Sequence, residues 1–118
     1  MRAKDILGQR GEEIAASYLE QHGIRVIDQN WRCPAGEIDI VAVDGDTLVI
    51  AEVKTRRNLD YGHPFEAVTP AKLARLHRLA REWAHSNALH LPLRRLDAIA
   101  VMDDGESDPI IEHLKGVG

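Results

Sequence analysis

Gly36-Glu37-Ile38-Asp39-Ile40-Val41-Ala42-Val43, then Asp44-Gly45-Asp46, then Thr47-Leu48-Val49-Ile50-Ala51-Glu52-Val53-Lys54-Thr55-Arg56 reads as two apolar strands joined by a tight acidic turn. Strand side chains alternate between faces with a period of two. Regular strands therefore put Glu37 and Asp39 on one face of the first and Glu52 and Lys54 on one face of the second. An Asp-Gly turn favours a hairpin. A turn of two or four residues keeps all four charges on the same side of the sheet. The four-residue register sets Asp39 opposite Glu52 and Glu37 opposite Lys54, and a slip of one residue separates the two sets.

Charges inside a sheet are costly unless paired or coordinated. Two carboxylates converging beside an ammonium suit a hard divalent cation such as Mg²⁺, which takes oxygen ligands and keeps several waters. The neighbouring lysine could place a nucleophilic water or steady developing negative charge. Ordinary cross-strand salt bridges on a half-exposed hairpin are the alternative that spacing alone leaves open.

Asp39 followed by Glu52-Val53-Lys54 on the next strand resembles the Asp…Glu-x-Lys core of the PD-(D/E)XK nuclease superfamily. The longer words Gly36-Glu37-Ile38-Asp39-Ile40-Val41-Ala42 and Glu52-Val53-Lys54-Thr55-Arg56 resemble the YraN-like family of small bacterial proteins. Archaeal Holliday-junction resolvases are more distant relatives by pattern. The resemblance runs from about Gly8 to Asp97, and departs from the superfamily pattern in having Ile38, not Pro, before Asp39. It implies a restriction-endonuclease-like three-layer α/β core, a mixed sheet flanked by helices, and Mg²⁺ or Mn²⁺ as cofactor. It also matches Gly8 and Glu12 to the Gly-x-x-x-Glu helix of the resolvase-like nucleases, whose glutamate completes the metal site. A helical glutamate is otherwise an ordinary surface residue.

Downstream of the hairpin, Arg56 to Val68 is crowded with Gly, Pro and Asn and predicts an irregular loop. At roughly a dozen residues it is long enough for a functional flap. Thr69-Pro70 then predicts a helix start, Thr69 as N-cap and Pro70 in the first helical position. Leu73, Leu76, Leu79, Ala80, Trp83 and Ala84 form its apolar face, with Arg75, Arg78 and Arg81 away from it. Lys72 sits at the border of that face, where it can reach along the sheet or merely snorkel; the YraN-like pattern also has a lysine here. Leu96–Met102 is apolar on both faces and predicts an internal strand, returning parallel to the Glu52 strand through a right-handed crossover. After an acidic turn, Asp103–Pro109, residues Ile110–Leu114 can form a short final strand.

Upstream, about Lys4–Gln21 has helical periodicity, with Ile14, Ala15, Tyr18 and Leu19 in one stripe. Gly8 and Gly11 weaken its first half by about 1 kcal/mol each, while leaving room for a close backbone or a phosphate. His22-Gly23 is a helix stop, Ile24–Asp28 alternates as a strand, and Asn30–Gly36 reads as a connecting loop in which Trp31 could pack over the sheet edge. Arg32 could meet a phosphate or pair with Glu37.

The order α-β-β-β-α-β, with a possible extra C-terminal strand, gives one domain over residues 1–118. Its 44% hydrophobic and 29% charged residues are those of a globular protein, and no apolar run reaches the roughly 20 residues of a bilayer span. With no signal-peptide pattern and one cysteine, Cys33, the expectation is a cytoplasmic protein without internal disulfide. The net charge of -4 hides a division: 5 basic and 10 acidic side chains in residues 1–53, 9 and 3 in 54–95, 1 and 6 in 96–118. A basic segment beside the carboxylates is the footprint of a phosphate-binding surface.

The leading reading is a divalent-metal-dependent phosphodiesterase, endonuclease-like, acting on DNA, with branched or repair intermediates among the candidate substrates and the substrate structure left open by the sequence. Glu12, Asp39 and Glu52 would hold metal, Lys54 would orient or activate water, and Lys72 would assist. Arg32, Arg56, Arg57 and Arg75 would contact nucleic acid. The expected partner is DNA, not a membrane, and a homodimer is compatible with the reading. The rivals are a non-catalytic nucleic-acid-binding module that retains the nuclease fold, and a protein-interaction scaffold. A pure binder has no use for carboxylates facing phosphate.

Overall fold

The computed structural model describes residues 3–60 and 62–118, so Tyr61 of the expected flap lies outside the described residues. The elements in order are helix α1 (Ala3–Gln21), strands β1 (Arg25–Cys33), β2 (Gly36–Asp44) and β3 (Thr47–Arg56), a 3₁₀ turn (Pro64–Ala67), helix α2 (Pro70–Ser86), and strands β4 (Leu93–Met102) and β5 (Ile110–Lys115). The five strands form one mixed sheet in the order β1-β2-β3-β4-β5. Only β3 and β4 run parallel; the other neighbours are antiparallel. Helix α1 packs on one face and α2 on the other, giving the three-layer α/β arrangement with the extra strand at its C-terminal edge.

Each helix seals its own face. Ala15 and Leu19 of α1 cover Ile40, Val49 and Ile99, while Leu76, Leu79 and Trp83 of α2 cover Val41, Ile50 and Leu96. Full burial of a Leu or Ile contributes about 1.5–3 kcal/mol, which leaves the sheet able to carry charge at one end. The α2 start is as expected: Thr69 accepts a hydrogen bond from the Lys72 amide at 3.2 Å, and Pro70 follows it. Trp83 is a packing residue, with its indole N–H donating to Asp28 at 2.8 Å. The C-terminal end of α1 turns at Gly23, φ +78°.

The β2–β3 hairpin closes at Asp44↔Thr47, so its loop is the two residues Gly45-Asp46. Gly45 takes φ +62°, as a glycine-first two-residue turn requires. The register continues to Ile40↔Ala51, where the pairing of the two strands stops, one residue short of Asp39 and Glu52.

Three expectations need correction. Asn30–Gly36 is not a connecting loop: β1 runs on to Cys33 and pairs Arg32 with Glu37 across a two-residue turn. A register shift between Val26 and Asp28 and a left-handed Asn30, φ +53°, break the alternation that would have marked it as strand. The segment after Arg56 is not wholly irregular either, since His63 caps the 3₁₀ turn, its ring nitrogen accepting from the Phe65 amide. Finally, β2 does not alternate regularly around Asp39. Ile38 joins the α2-side core and Ile40 the α1-side core, although residues two apart in a regular strand face the same way.

Candidate functional site

The break in alternation at Asp39 builds the site. Asp39 Oδ2 accepts the Val53 N–H at 2.8 Å, a side chain standing where a ladder carbonyl would be. The ladder between β2 and β3 ends just before this point, at Ile40 and Ala51, and the two strands part toward the C-terminal end of β3.

Glu52 and Lys54 lie on the α2 side of β3, in step with Leu48 and Ile50. Glu52 is 7% exposed. Its Oε1 meets two ammonium groups, Lys72 Nζ of the first turn of α2 at 2.6 Å and Lys54 Nζ at 3.4 Å. Lys72 comes within reach because the Thr69 cap and Pro70 fix where α2 begins over the sheet.

Helix α1 supplies the third carboxylate. A Cβ on Gly11 would lie 1.8 Å from Thr55 Oγ1, so only glycine lets α1 settle this close to β3. Glu12, the next residue, is thereby carried to the open end of the sheet beside Asn30, Asp39 and Glu52.

Electrostatics register the crowding. Burial, then the charges of Glu52, Glu12 and Glu37, push the Asp39 carboxyl up to about 7, against the Val53 amide. Burial also raises Glu12, helped by Glu37 and Glu52 and opposed by Asn30 and Asp39. Burial and the adjacent Lys72 hold Lys54 below the ordinary lysine range despite Glu52. For Lys72 burial works against the ammonium, but the contact with Glu52 outweighs it and raises the group. Among the described residues no three His, Cys, Asp or Glu side chains are gathered tightly enough to enclose an ion. Glu12, Asp39 and Glu52 are thus neighbours in charge, with ammonium groups on Glu52.

The basic residues divide. Arg56 and Arg57 end β3 and begin the following segment, and with Lys54 and Glu12 they border one cavity. Arg75 is exposed on α2, its stem beside Gly36 at the β1–β2 turn. Arg32 takes the Glu37 alternative, Nε to Oε2 at 3.5 Å, with its side chain 78% exposed. Arg94 and Arg95 belong to the opposite end of the sheet, because the parallel crossover begins β4 beside Thr47. Arg95 is bound there to Asp44 and Asp97.

Sequence reasoning passed over Asn30, which neighbours Glu12, and the buried group around Asp97. Asp97 Oδ2 meets His113 Nε2 at 2.7 Å, Tyr18 meets the other His113 nitrogen at 3.2 Å, and Asp97 Oδ1 accepts from Arg95 and the Gly116 amide. The available signal was Arg95 and Asp97, two apart on one strand face, the second in an apolar run where a carboxylate needs partners.

The model of the uncharacterised protein family UPF0102 matches residues 11–101. A UPF0102 protein of Arthrobacter sp. (strain FB24) is 67% identical over the whole of both chains. One from Renibacterium salmoninarum is 55% identical, again over the whole of both, and one from a Nocardioides species is 44% identical over 98% of this chain and 93% of the relative. The chain belongs to the uncharacterised protein family UPF0102, the YraN-like family its sequence resembles.

Proposed function

We propose that the protein is a Mg²⁺- or Mn²⁺-dependent phosphodiesterase acting on DNA. The observation that carries this is the buried Glu52, beside Asp39 and held by Lys54 and Lys72, at the one end of the hairpin where β2 leaves β3. The donor set suits a hard cation: every carboxylate there supplies oxygen, and burial together with the charge of Glu52 holds the Asp39 carboxyl high. Glu12, Asp39 and Glu52 would hold the ion. When bound, it would neutralise phosphate charge and make an attacking water more acidic.

The chain's own residues would do the rest. Lys54, a half-buried ammonium beside the carboxylates, would hold a water in line with the scissile phosphate. Lys72 would release Glu52 to the cation and turn toward phosphate. Arg56, Arg57 and Arg75 would hold the flanking backbone, and exposed Arg32 would exchange Glu37 for phosphate at the rim. Calorimetry tests the cation site: Asp39→Asn should weaken Mn²⁺ binding without unfolding the chain, and equal affinity in both proteins overturns the assignment.

One observation favours the non-cleaving nucleic-acid-binding module instead. At 2.6 Å, Lys72 already occupies the Glu52 oxygen that a cation would need. If that contact persists with DNA bound, Mn²⁺ affinity will be negligible in wild type and variant alike, and the module reading takes precedence.

A further inference from the structure

Beside Glu12 and Lys54 the surface opens into a cavity of about 580 Å³. Leu7, Gly8 and Glu12 of α1 form one wall, and Val53, Lys54 and Arg57 the other. The volume is that of a small-molecule site, about 300–1,000 Å³. Its chemistry is divided: Leu7 and Val53 are apolar, Gly8 presents no side chain, Lys54 and Arg57 are cationic, and Glu12 leads to Asp39 and Glu52.

The two helical glycines have different reasons. Gly11 is required by its contact with Thr55, whereas a Cβ on Gly8 would meet nothing within 4 Å. Glycine inside a helix costs about 1 kcal/mol relative to alanine, and packing gives no return for it at Gly8. What the missing side chain does is leave the cavity open.

An apolar slot with a cationic rim, touching carboxylates at one side, fits a nucleoside in the slot with its phosphate at the rim. A base stacked within duplex cannot enter, because a base must leave the stack to reach such a pocket. We propose that this cavity receives an unpaired nucleotide next to the scissile phosphate, so that the substrate class is DNA with a single-stranded arm or end. This rests on the phosphodiesterase reading of the adjacent site and sharpens its substrate.

The test is a binding measurement, independent of cleavage. Fluorescence anisotropy in Ca²⁺ compares a labelled duplex with a single-stranded arm, the same DNA with abasic positions beside the junction, and a fully paired duplex. Wild type should bind the armed DNA about tenfold tighter than the other two, the worth of burying the apolar face of one base against Leu7 and Val53. Gly8→Leu, which projects a side chain into open space, should keep its melting temperature and bring the armed DNA down to the level of paired duplex. Should Gly8→Leu fail to fold, Leu7→Asp on the half-buried first turns gives the same comparison. Equal affinity for armed, abasic and paired DNA overturns the proposal, as does a preference that filling the cavity leaves intact or failure to bind any probe. Equal binding together with metal-dependent cutting would sink the slot and keep the phosphodiesterase. Preference for the armed DNA without cutting of any substrate would keep the slot and sink the phosphodiesterase.

Discussion

Glu52 carries two ammonium groups on one carboxylate oxygen, and that contact sets what the site does with and without a cation. Removing one partner of a buried pair is expensive because the other charge stays behind. Lys72→Ala should therefore lower stability by about 2 kcal/mol, less than for a fully buried pair because the Lys72 side chain is 25% exposed. Saturating Mn²⁺ should recover much of the loss, since the cation takes over the charge on Glu52. Urea melts with and without Mn²⁺ check this, and a deficit that Mn²⁺ leaves untouched contradicts the assignment of Glu52 as a ligand. At this scale Glu52 and Lys54 could be read from sequence because they are two apart on a regular strand. The placement of Asp39 could not: its carboxylate replaces a ladder bond to Val53, a local event that alternation does not encode. The Lys72 contact needed the distance between α2 and β3, which no spacing within one element supplies.

The elements that set the site are the β2–β3 hairpin and the first half of α1. Gly45 fixes the register through a two-residue turn, so the hairpin was legible from Asp44-Gly45-Asp46 and the apolar runs on either side. Helix α1 is held against β3 at Gly11, where any Cβ collides with Thr55. Gly11→Ala should destabilise the fold by about 1–3 kcal/mol, as overpacking generally does, and should displace Glu12. Thr55→Gly in the same chain should restore part of the stability. Denaturant titration of the single and double variants is the measurement, and a Gly11→Ala protein as stable as wild type would contradict the close approach. The length of β1 was hidden for a physical reason: the shift after Val26 and the left-handed Asn30 interrupt the period of two that marks a strand.

Across the molecule, the basic residues divide by where the chain returns, which composition alone does not report. Lys54, Arg56, Arg57, Lys72 and Arg75 belong to the end where β3 finishes, while the crossover puts Arg94 and Arg95 at the other end. DNA affinity should fall with salt, and Arg57→Ala or Arg75→Ala should each reduce the log–log slope by about 0.9 on duplex; an unchanged slope in titrations over salt removes that residue from the contact surface. The distant Asp97 group acts on stability instead. Burial alone would raise the Asp97 carboxyl, but hydrogen bonds from His113, Arg95 and the Gly116 amide outweigh it and hold the group below its ordinary value. A carboxylate lowered on folding stabilises above its unfolded pKa of about 3.9, and that contribution disappears as pH falls through the folded value. Asp97→Asn should thus be less stable than wild type at neutral pH by about 3 kcal/mol, the gap closing below about pH 4; a gap independent of pH in thermal melts contradicts the role given to its charge. The central claim is catalysis at the Asp39–Glu52–Lys54 site, and the most direct measurement is cleavage of a panel of duplex, armed, branched and single-stranded DNA with Mg²⁺ or Mn²⁺. Wild type should cut at least one substrate, and Lys54→Ala should bind that substrate yet cut it about 10²–10⁴ times more slowly. A Lys54→Ala protein that cuts as fast as wild type, or a wild type that binds metal and DNA and cuts nothing, would contradict it.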